Sequence, residues 1–371
     1  MDFPELGELL GQPIYSLSKN EKDPRFLRAM AEVSQFHYEH CEPYQRLCDA
    51  REFRPKDLTT LAEIPYLPTS FFKRRLLVSV PDEKVVREVR SSATTSGTSS
   101  RMGLDRETSR RQTKCFTKTI VERIGNDRRR FVVVDEPGTI ERSAVVTARS
   151  STIKSLLFMA STAEAVLRSD GDSLSLDEER FHAVLDEASR NDEPVIVFGF
   201  TYVLYAFVVR RLLAEGRAYK LPDGSNIIHI GGWKKLEAEK VSPEQLVADC
   251  AKVFGVSTGK VVDIYGFTEQ AGLIYPTCED GVRHCPVWAE VIVRDPVTLE
   301  ALPAGKTGVL EFLTPIQTSY PGHSVLTEDV GHIVGVDDCG CGRKGTMFKL
   351  VGRASNAEVR GCGVIMAERF A

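Results

Sequence analysis

The chain has 371 residues, with 48 Lys+Arg against 52 Asp+Glu and a formal net charge of −4. That near balance argues against nucleic-acid binding as the main task. A composition of 42% hydrophobic and 27% charged residues excludes a largely disordered chain. The length predicts two or three domains, or one large α/β domain. The start, Met1-Asp2-Phe3-Pro4-Glu5, has no basic segment followed by an apolar one. No secretory signal is therefore expected, and a cytoplasmic location is. The longest uncharged run, 194–209, is too short for a comfortable membrane span and contains Gly199. It reads as a strand, a turn and the start of a helix.

In chain order, Asp23-Pro24 predicts a helix start, with Asp as N-cap and Pro at the first helical position. Phe26, Met30, Val33 and His37 then keep helical spacing towards Cys41, and Pro43 is expected to end the helix. Pro55, Pro65 and Pro68 break up the next stretch. From about residue 76, short apolar strands alternate with amphipathic helices. Strands are predicted at 131–134, 144–147, 194–198, 226–230 and 261–265. Ser175-x-x-Glu178 reads as a capping box before a helix carrying Phe181, Val184, Leu185 and Ala188. Further helices are predicted over 202–214 and after Ser242-Pro243-x-Gln245. This alternation predicts a covered, largely parallel sheet. After residue 280 the pattern is strand-rich, at 289–293, 308–314 and 332–336. The expected division is a helical N-terminal segment packed on the core (1–75), an α/β core (76–275) and a β-rich subdomain (276–371).

Several familiar signatures fail. Gly305-Lys306-Thr307 lacks the first glycine of a Walker A loop, because position 300 is Glu300. Gly340-x-Gly342-x-x-Gly345 runs into the strand-like Met347-Phe348-Lys349-Leu350 instead of a helix. Three other stretches carry chemistry. Residues 91–100 are a run of hydroxyls around Gly97, suited to wrapping phosphate oxygens with backbone N–H groups. Composition allows a plain surface loop as well. Asp263-Ile264-Tyr265-Gly266-Phe267-Thr268-Glu269 ends a strand in a hydroxyl and a carboxylate. That is where open α/β sheets bind ligands, and Glu269 is a candidate Mg²⁺ ligand. The competing reading is a helix N-terminus capped by Thr268. Thr327-Glu328-Asp329-Val330-Gly331 offers an acid for ribose hydroxyls, or is only a turn.

The nine cysteines are odd in number and spread over a long chain, which does not look like a disulfide framework, and five crowd into the final quarter. Cys339-Gly-Cys341 is a tight thiol pair, and Cys278 precedes His284 across the turn Glu279-Asp280-Gly281. Two ligands from each of two hairpins is how structural zinc closes a small β-module, with Cys285 a rival to His284 as fourth ligand.

Together, and in this order, these stretches resemble the adenylate-forming enzymes: acyl-CoA synthetases, firefly-type luciferases and peptide-synthetase adenylation domains. The resemblance implies an adenylate-forming α/β core with covered mixed and parallel sheets. It implies a phosphate loop at Thr95, Ser96, Gly97, Thr98 and Ser99, and backbone along the adenine at Gly231, Gly232 and Trp233. It places Tyr265 and Gly266 in the nucleotide motif, Thr268 on phosphate, Glu269 on Mg²⁺ and Asp329 on ribose. Gly352-Arg353 and Val359-Arg360-Gly361 resemble the hinge before the mobile lid. Glu328 departs from the usual Gly before the ribose acid, and Arg360 stands where many members have Lys.

Within that superfamily, Ser96-Gly97-Thr98, Gly231-Gly232-Trp233-Lys234, Ser319-Tyr320-Pro321-Gly322-His323-Ser324 and Arg360-Gly361-Cys362 are similar to the acyl-protein synthetases of bacterial luminescence operons. So are Ile14-Tyr15-Ser16-Leu17-Ser18 and Phe36-His37-Tyr38. The resemblance implies ATP-dependent activation of a fatty acid and transfer of the acyl group to Cys362 as a thioester. A partner reductase or acyl carrier would then receive it. The competing enzyme reading is a ligase of the phenylacetate type, whose relatives carry a similar Cys/His cluster. A third reading is a nucleotide-binding scaffold without turnover. Only 18 residues follow Arg353, so the mobile C-terminal lid is expected to be absent. Phe198, Gly199, Phe200, Tyr202, Tyr205 and Phe207 are candidates to line an acyl tunnel, or are plain core.

Overall fold

The computed structural model describes residues 2–91, 99–141, 148–170, 173–233 and 239–354. They divide into two compact units. One comprises residues 120–265 and 276–281, and the other the described parts of 1–119, 266–275 and 282–371. The predicted strand at 144–147 lies outside the described residues.

The 120–265 unit is built on five parallel strands. These are β1 (Arg129–Val134), β2 (Ala160–Ala165), β3 (Val195–Phe200), β4 (Asn226–Ile230) and β5 (Val261–Tyr265), in the spatial order β5-β4-β3-β1-β2. Phe131, Val132, Val133 and Val134 are all fully buried, as expected of a strand covered on both faces. The helix Glu178–Arg190 packs Phe181, Val184, Leu185 and Ala188 onto this sheet. Its cap is Asp177, which accepts a hydrogen bond from the Arg180 N–H, and not Ser175. Ser175 lies in the strand Ser173–Leu176, where the pairing Arg168↔Ser175 holds it in the ladder. The helix Pro243–Phe254 starts as predicted, with Ser242 Oγ accepting from the Gln245 N–H. It stops at Gly255, whose φ of +64° and 2.3 Å approach of a would-be Cβ to the Tyr219 carbonyl oxygen require glycine. The helix over 201–215 contains a π-turn, Tyr205–Val209.

The other unit opens with α1 (Pro4–Gly11), α2 (Lys19–His40) and α3 (Glu42–Ala50). α2 starts earlier than Asp23-Pro24. Ser18 and Glu21 form a reciprocal capping box, which satisfies the first orphan N–H groups upstream and leaves Pro24 inside the helix. Pro43 does not simply end α2. It sits in the first turn of α3, where its missing N–H costs nothing. Five strands then form a mostly antiparallel sheet: β6 (Arg283–His284), β7 (Glu290–Arg294), β8 (Gly308–Leu313), β9 (Ser324–Val336) and β10 (Thr346–Arg353), in the order β6-β10-β9-β8-β7. Leu67–Pro68 adds in parallel beside β9. The predicted 332–336 strand is the second half of the longer β9. Among the described residues no helix is long and apolar enough to cross a membrane.

Candidate active site

The turn Thr268–Gln270 gathers the strongest chemistry of the first-and-last unit. Glu269 is only 5% exposed, and its Oε1 accepts a hydrogen bond from Ser100 Oγ at 2.5 Å. Burial pushes the Glu269 carboxyl above its ordinary range, against the Ser100 hydrogen bond and the charges of Lys73 and Arg353. Its backbone carbonyl accepts from the Tyr320 hydroxyl at 2.9 Å. Gln270, fully buried, donates from Nε2 to the carbonyls of Phe312 and Gly322, both at 2.9 Å. Gly322 leaves no room for a side chain: a Cβ there would lie 2.4 Å from the Tyr320 ring and 3.0 Å from the Glu269 carbonyl oxygen. The Ser319-to-Ser324 stretch thus forms the floor that holds Glu269 in place. Ser100, Gln270 and Tyr320 were missed as site residues. Their signal was adjacency to the hydroxyl loop, to Glu269 and to Gly322.

The hydroxyl loop is clamped at its base. The Ser91 N–H donates to the Ser100 carbonyl at 3.1 Å, and the Ser100 N–H donates to Ser91 Oγ at 2.8 Å. Ser99 is described and half-buried, whereas Thr95, Ser96, Gly97 and Thr98 lie outside the described residues, as does Cys362. Asp329 sits on β9 directly opposite Arg353 on β10. The guanidinium reaches the Asp329 carboxylate at 3.5 Å and that of Glu328 at 3.4 Å. Glu328, where the resembled pattern has Gly, therefore shares Arg353 with Asp329.

In the parallel-sheet unit, Gly231 follows β4 with φ of +84°, and Tyr265 closes the neighbouring β5. Both stand at the carboxyl edge of the sheet, the ligand side of open α/β folds. Trp233 presents only backbone there. Its ring is buried against Tyr205 at 5.3 Å, and the Tyr205 hydroxyl donates to Asp249 at 2.9 Å. Phe198 and Tyr205 are core residues, and Phe200, Tyr202 and Phe207 pack on the same core, so the proposed tunnel set is largely structural packing.

Cys278, His284, Cys339 and Cys341 converge as four ligand atoms within 4.8 Å of one another. The Cys341 sulfur is 3.4 Å from His284 Nε2. Cys285 is buried beside Glu290 instead, where burial pushes its thiol well up. Burial raises the Cys341 thiol too, but hydrogen bonds from the Arg343 N–H and Cys339, with the Arg343 charge, outweigh it and hold it below its ordinary value. Three sulfurs and an imidazole at these separations fit a tetrahedral zinc ion, whose ligand atoms stand about 3.5–3.8 Å apart.

The profile of the acyl-protein synthetase family, LuxE, matches residues 8–371. The chain belongs to the LuxE acyl-protein synthetase family. Similar proteins include the long-chain-fatty-acid–luciferin-component ligase of Vibrio harveyi, 25% identical over 341 residues, covering 91% of this chain and 85% of that one. That of Aliivibrio fischeri is 22% identical over 345 residues, covering 92% and 87%. Among solved structures, 2-hydroxyisobutyryl-CoA ligase in complex with 2-HIB-AMP and CoA is similar in fold. Its open conformation has a TM-score of 0.66 at 16% identity, over 91% of this chain and 76% of that one. Its thioesterification state has 0.67, over 92% and 70%. The fold is thus that of adenylate-forming ligases, and this member of the LuxE acyl-protein synthetase family is an adenylate-forming ligase.

Proposed function

We propose that the chain joins a carboxylic acid of the fatty-acid class to AMP and then carries the acyl group as a thioester on Cys362. An acyl reductase or acyl-carrier partner then takes it. The observation that carries this reading is the family match through residue 371, which takes in Glu269, Asp329 and the Cys362 segment.

In the first half-reaction a carboxylate oxygen bonds to the α-phosphorus of ATP, and the bond to pyrophosphate breaks. Such a step needs positioning and charge neutralisation more than covalent help. The hydroxyl loop, with Ser96 and Thr98, and Thr268 hold phosphate oxygens. Gly231, Gly232, Trp233, Tyr265 and Gly266 line the nucleotide, and Asp329, steadied by Arg353, takes the ribose hydroxyls. Glu269 is the residue that would hold Mg²⁺, and the ion would supply positive charge to offset that of the leaving pyrophosphate. A buried carboxylate answered by a neutral hydroxyl suits that task. In the second step the Cys362 thiolate attacks the acyl carbonyl carbon, the bond to AMP breaks, and the thiol proton goes to solvent. Neighbouring Arg360 favours the thiolate.

Cys278, His284, Cys339 and Cys341 would hold structural zinc, closing the turn between β9 and β10 against β6. Acid-dependent exchange of labelled pyrophosphate into ATP tests the first half-reaction. Exchange with a fatty acid is expected, and its absence with every acid tried would refute the reading. Zinc near one equivalent, lost in the Cys339→Ser/Cys341→Ser variant, is the expected metal content.

A further inference from the structure

The carboxyl edge of the parallel sheet carries a charged pair that none of the nucleotide motifs uses. Asp135 directly follows β1 and is 1% exposed. Its Oδ1 accepts from the Glu136 N–H at 2.7 Å, and its Oδ2 accepts from Arg149 Nε at 2.5 Å. The Arg149 guanidinium lies 5.7 Å from the centre of the Phe200 ring, at the end of β3. The Arg149 side chain is 31% exposed, but its Nη2 is buried and has no hydrogen-bond partner among the described residues. A buried guanidinium N–H is rarely left without an acceptor, so this one calls for a ligand.

The topology says which ligand. β1, β3, β4 and β5 are successive parallel neighbours, so Asp135, Phe200, Gly231 and Tyr265 end in one row. Adjacent strands are about 4.8 Å apart, which puts β1 about 10 Å from β4. A nucleotide over Gly231 and Tyr265 therefore leaves β3 and β1 for the other reactant. The Arg149 charge is offset by Asp135, and Phe200 supplies an apolar wall. A near-neutral donor pair beside an aromatic ring suits a singly charged carboxylate with an apolar tail, not a polyphosphate.

We propose that Arg149, oriented by Asp135, binds the carboxylate of the acid substrate at this edge before adenylation. Arg149 is a substrate-binding residue, and Asp135 is a positioning residue that acts through it. The assignment rests on the acid-activation reading above.

Pyrophosphate exchange on the full chain, with dodecanoate as probe, tests it. Arg149→Gln is expected to raise KM for dodecanoate about 10- to 100-fold, the loss of one charge-assisted contact. KM for ATP should stay within about 2-fold. Arg149→Lys should recover part of the loss, and Asp135→Asn should raise the same KM by less. Dodecanol, which lacks the carboxylate, should inhibit wild type and Arg149→Gln equally. A thermal melt of each variant separates misfolding from lost contact. An unchanged dodecanoate KM in folded Arg149→Gln, or a parallel rise in KM for ATP, would overturn the assignment while leaving acid activation intact. No exchange by wild type with dodecanoate, octanoate or benzoate would overturn both.

Discussion

Two buried carboxylates in the same unit are treated differently. Glu290, at the start of β7, is paired with Lys22, itself 1% exposed, at 3.2 Å, and with Lys19 at 3.5 Å. Lys22 also donates to the Ala289 carbonyl at 2.5 Å. Burial alone would raise the Glu290 carboxyl, but the two ammonium groups hold it below its ordinary range. Glu269 is buried as deeply, yet its direct partner is the hydroxyl of Ser100, and its carboxyl is raised. A carboxylate neutralised by cations is finished as a structural element and fastens α2 to β7. One whose direct partner is a neutral donor has no cation in contact to answer its charge, which is what the proposed Mg²⁺ role of Glu269 requires.

Breaking the first region should cost the most. Lys22→Met leaves Glu290 buried without its main partner and should destabilise the fold by roughly 3–5 kcal/mol, read from urea unfolding. Replacing both groups together, as Lys22→Met/Glu290→Met, should recover much of that loss. Glu269→Gln tests the other side of the comparison. It should lower acid-dependent pyrophosphate exchange roughly 100- to 1000-fold, about 2.7–4 kcal/mol, while the melting temperature hardly moves. A large loss of stability in Glu269→Gln, or unchanged exchange, would erase the distinction between the two carboxylates.

A smaller effect comes from a third buried titratable group. His37 is fully buried, its Nε2–H donating to the Gln317 carbonyl at 2.8 Å and its Nδ1 accepting from Ser79 Oγ at 2.7 Å. Burial pushes its pKa down to about 3. The folded chain therefore keeps His37 neutral, while the unfolded chain takes up a proton below about pH 6.5. Its contribution is complete above pH 6.5 and is lost as the pH falls towards 3, with a slope of up to about 1.4 kcal/mol per pH unit for one group. His37→Gln should flatten the acid limb of a urea midpoint measured from pH 7.5 to 4.5. An unaltered limb would mean that His37 is not the group responsible.

The alternation of apolar strands and capped helices was enough to place β1, β3, β4 and β5 and the helix at Ser242, because burial on both faces leaves a continuous apolar signature. The Cys/His cluster was equally legible, since thiol pairs at a turn have few other uses. What escaped was long-range. Ser100 and Tyr320 meet Glu269 only through the fold, at sequence separations of 169 and 51, and Gln270, next to Glu269 in the chain, finds its acceptors Phe312 and Gly322 in the same way. Asp135 and Arg149 belong to no motif in the sequence, because only strand order brings them into the row with Gly231. The start of α2 was misplaced because two capping signals, Ser18/Glu21 and Asp23/Pro24, compete within one turn, and the reciprocal one wins.

The central claim is that acid activation ends on Cys362. The most direct measurement is the intact mass of the chain after incubation with ATP, Mg²⁺ and dodecanoate, with and without neutral hydroxylamine, in wild type and Cys362→Ser. The account predicts one added dodecanoyl group on wild type, removed by hydroxylamine, and none on Cys362→Ser despite continued pyrophosphate exchange. The same dodecanoyl adduct on Cys362→Ser, or exchange by wild type with no adduct at all, would contradict it.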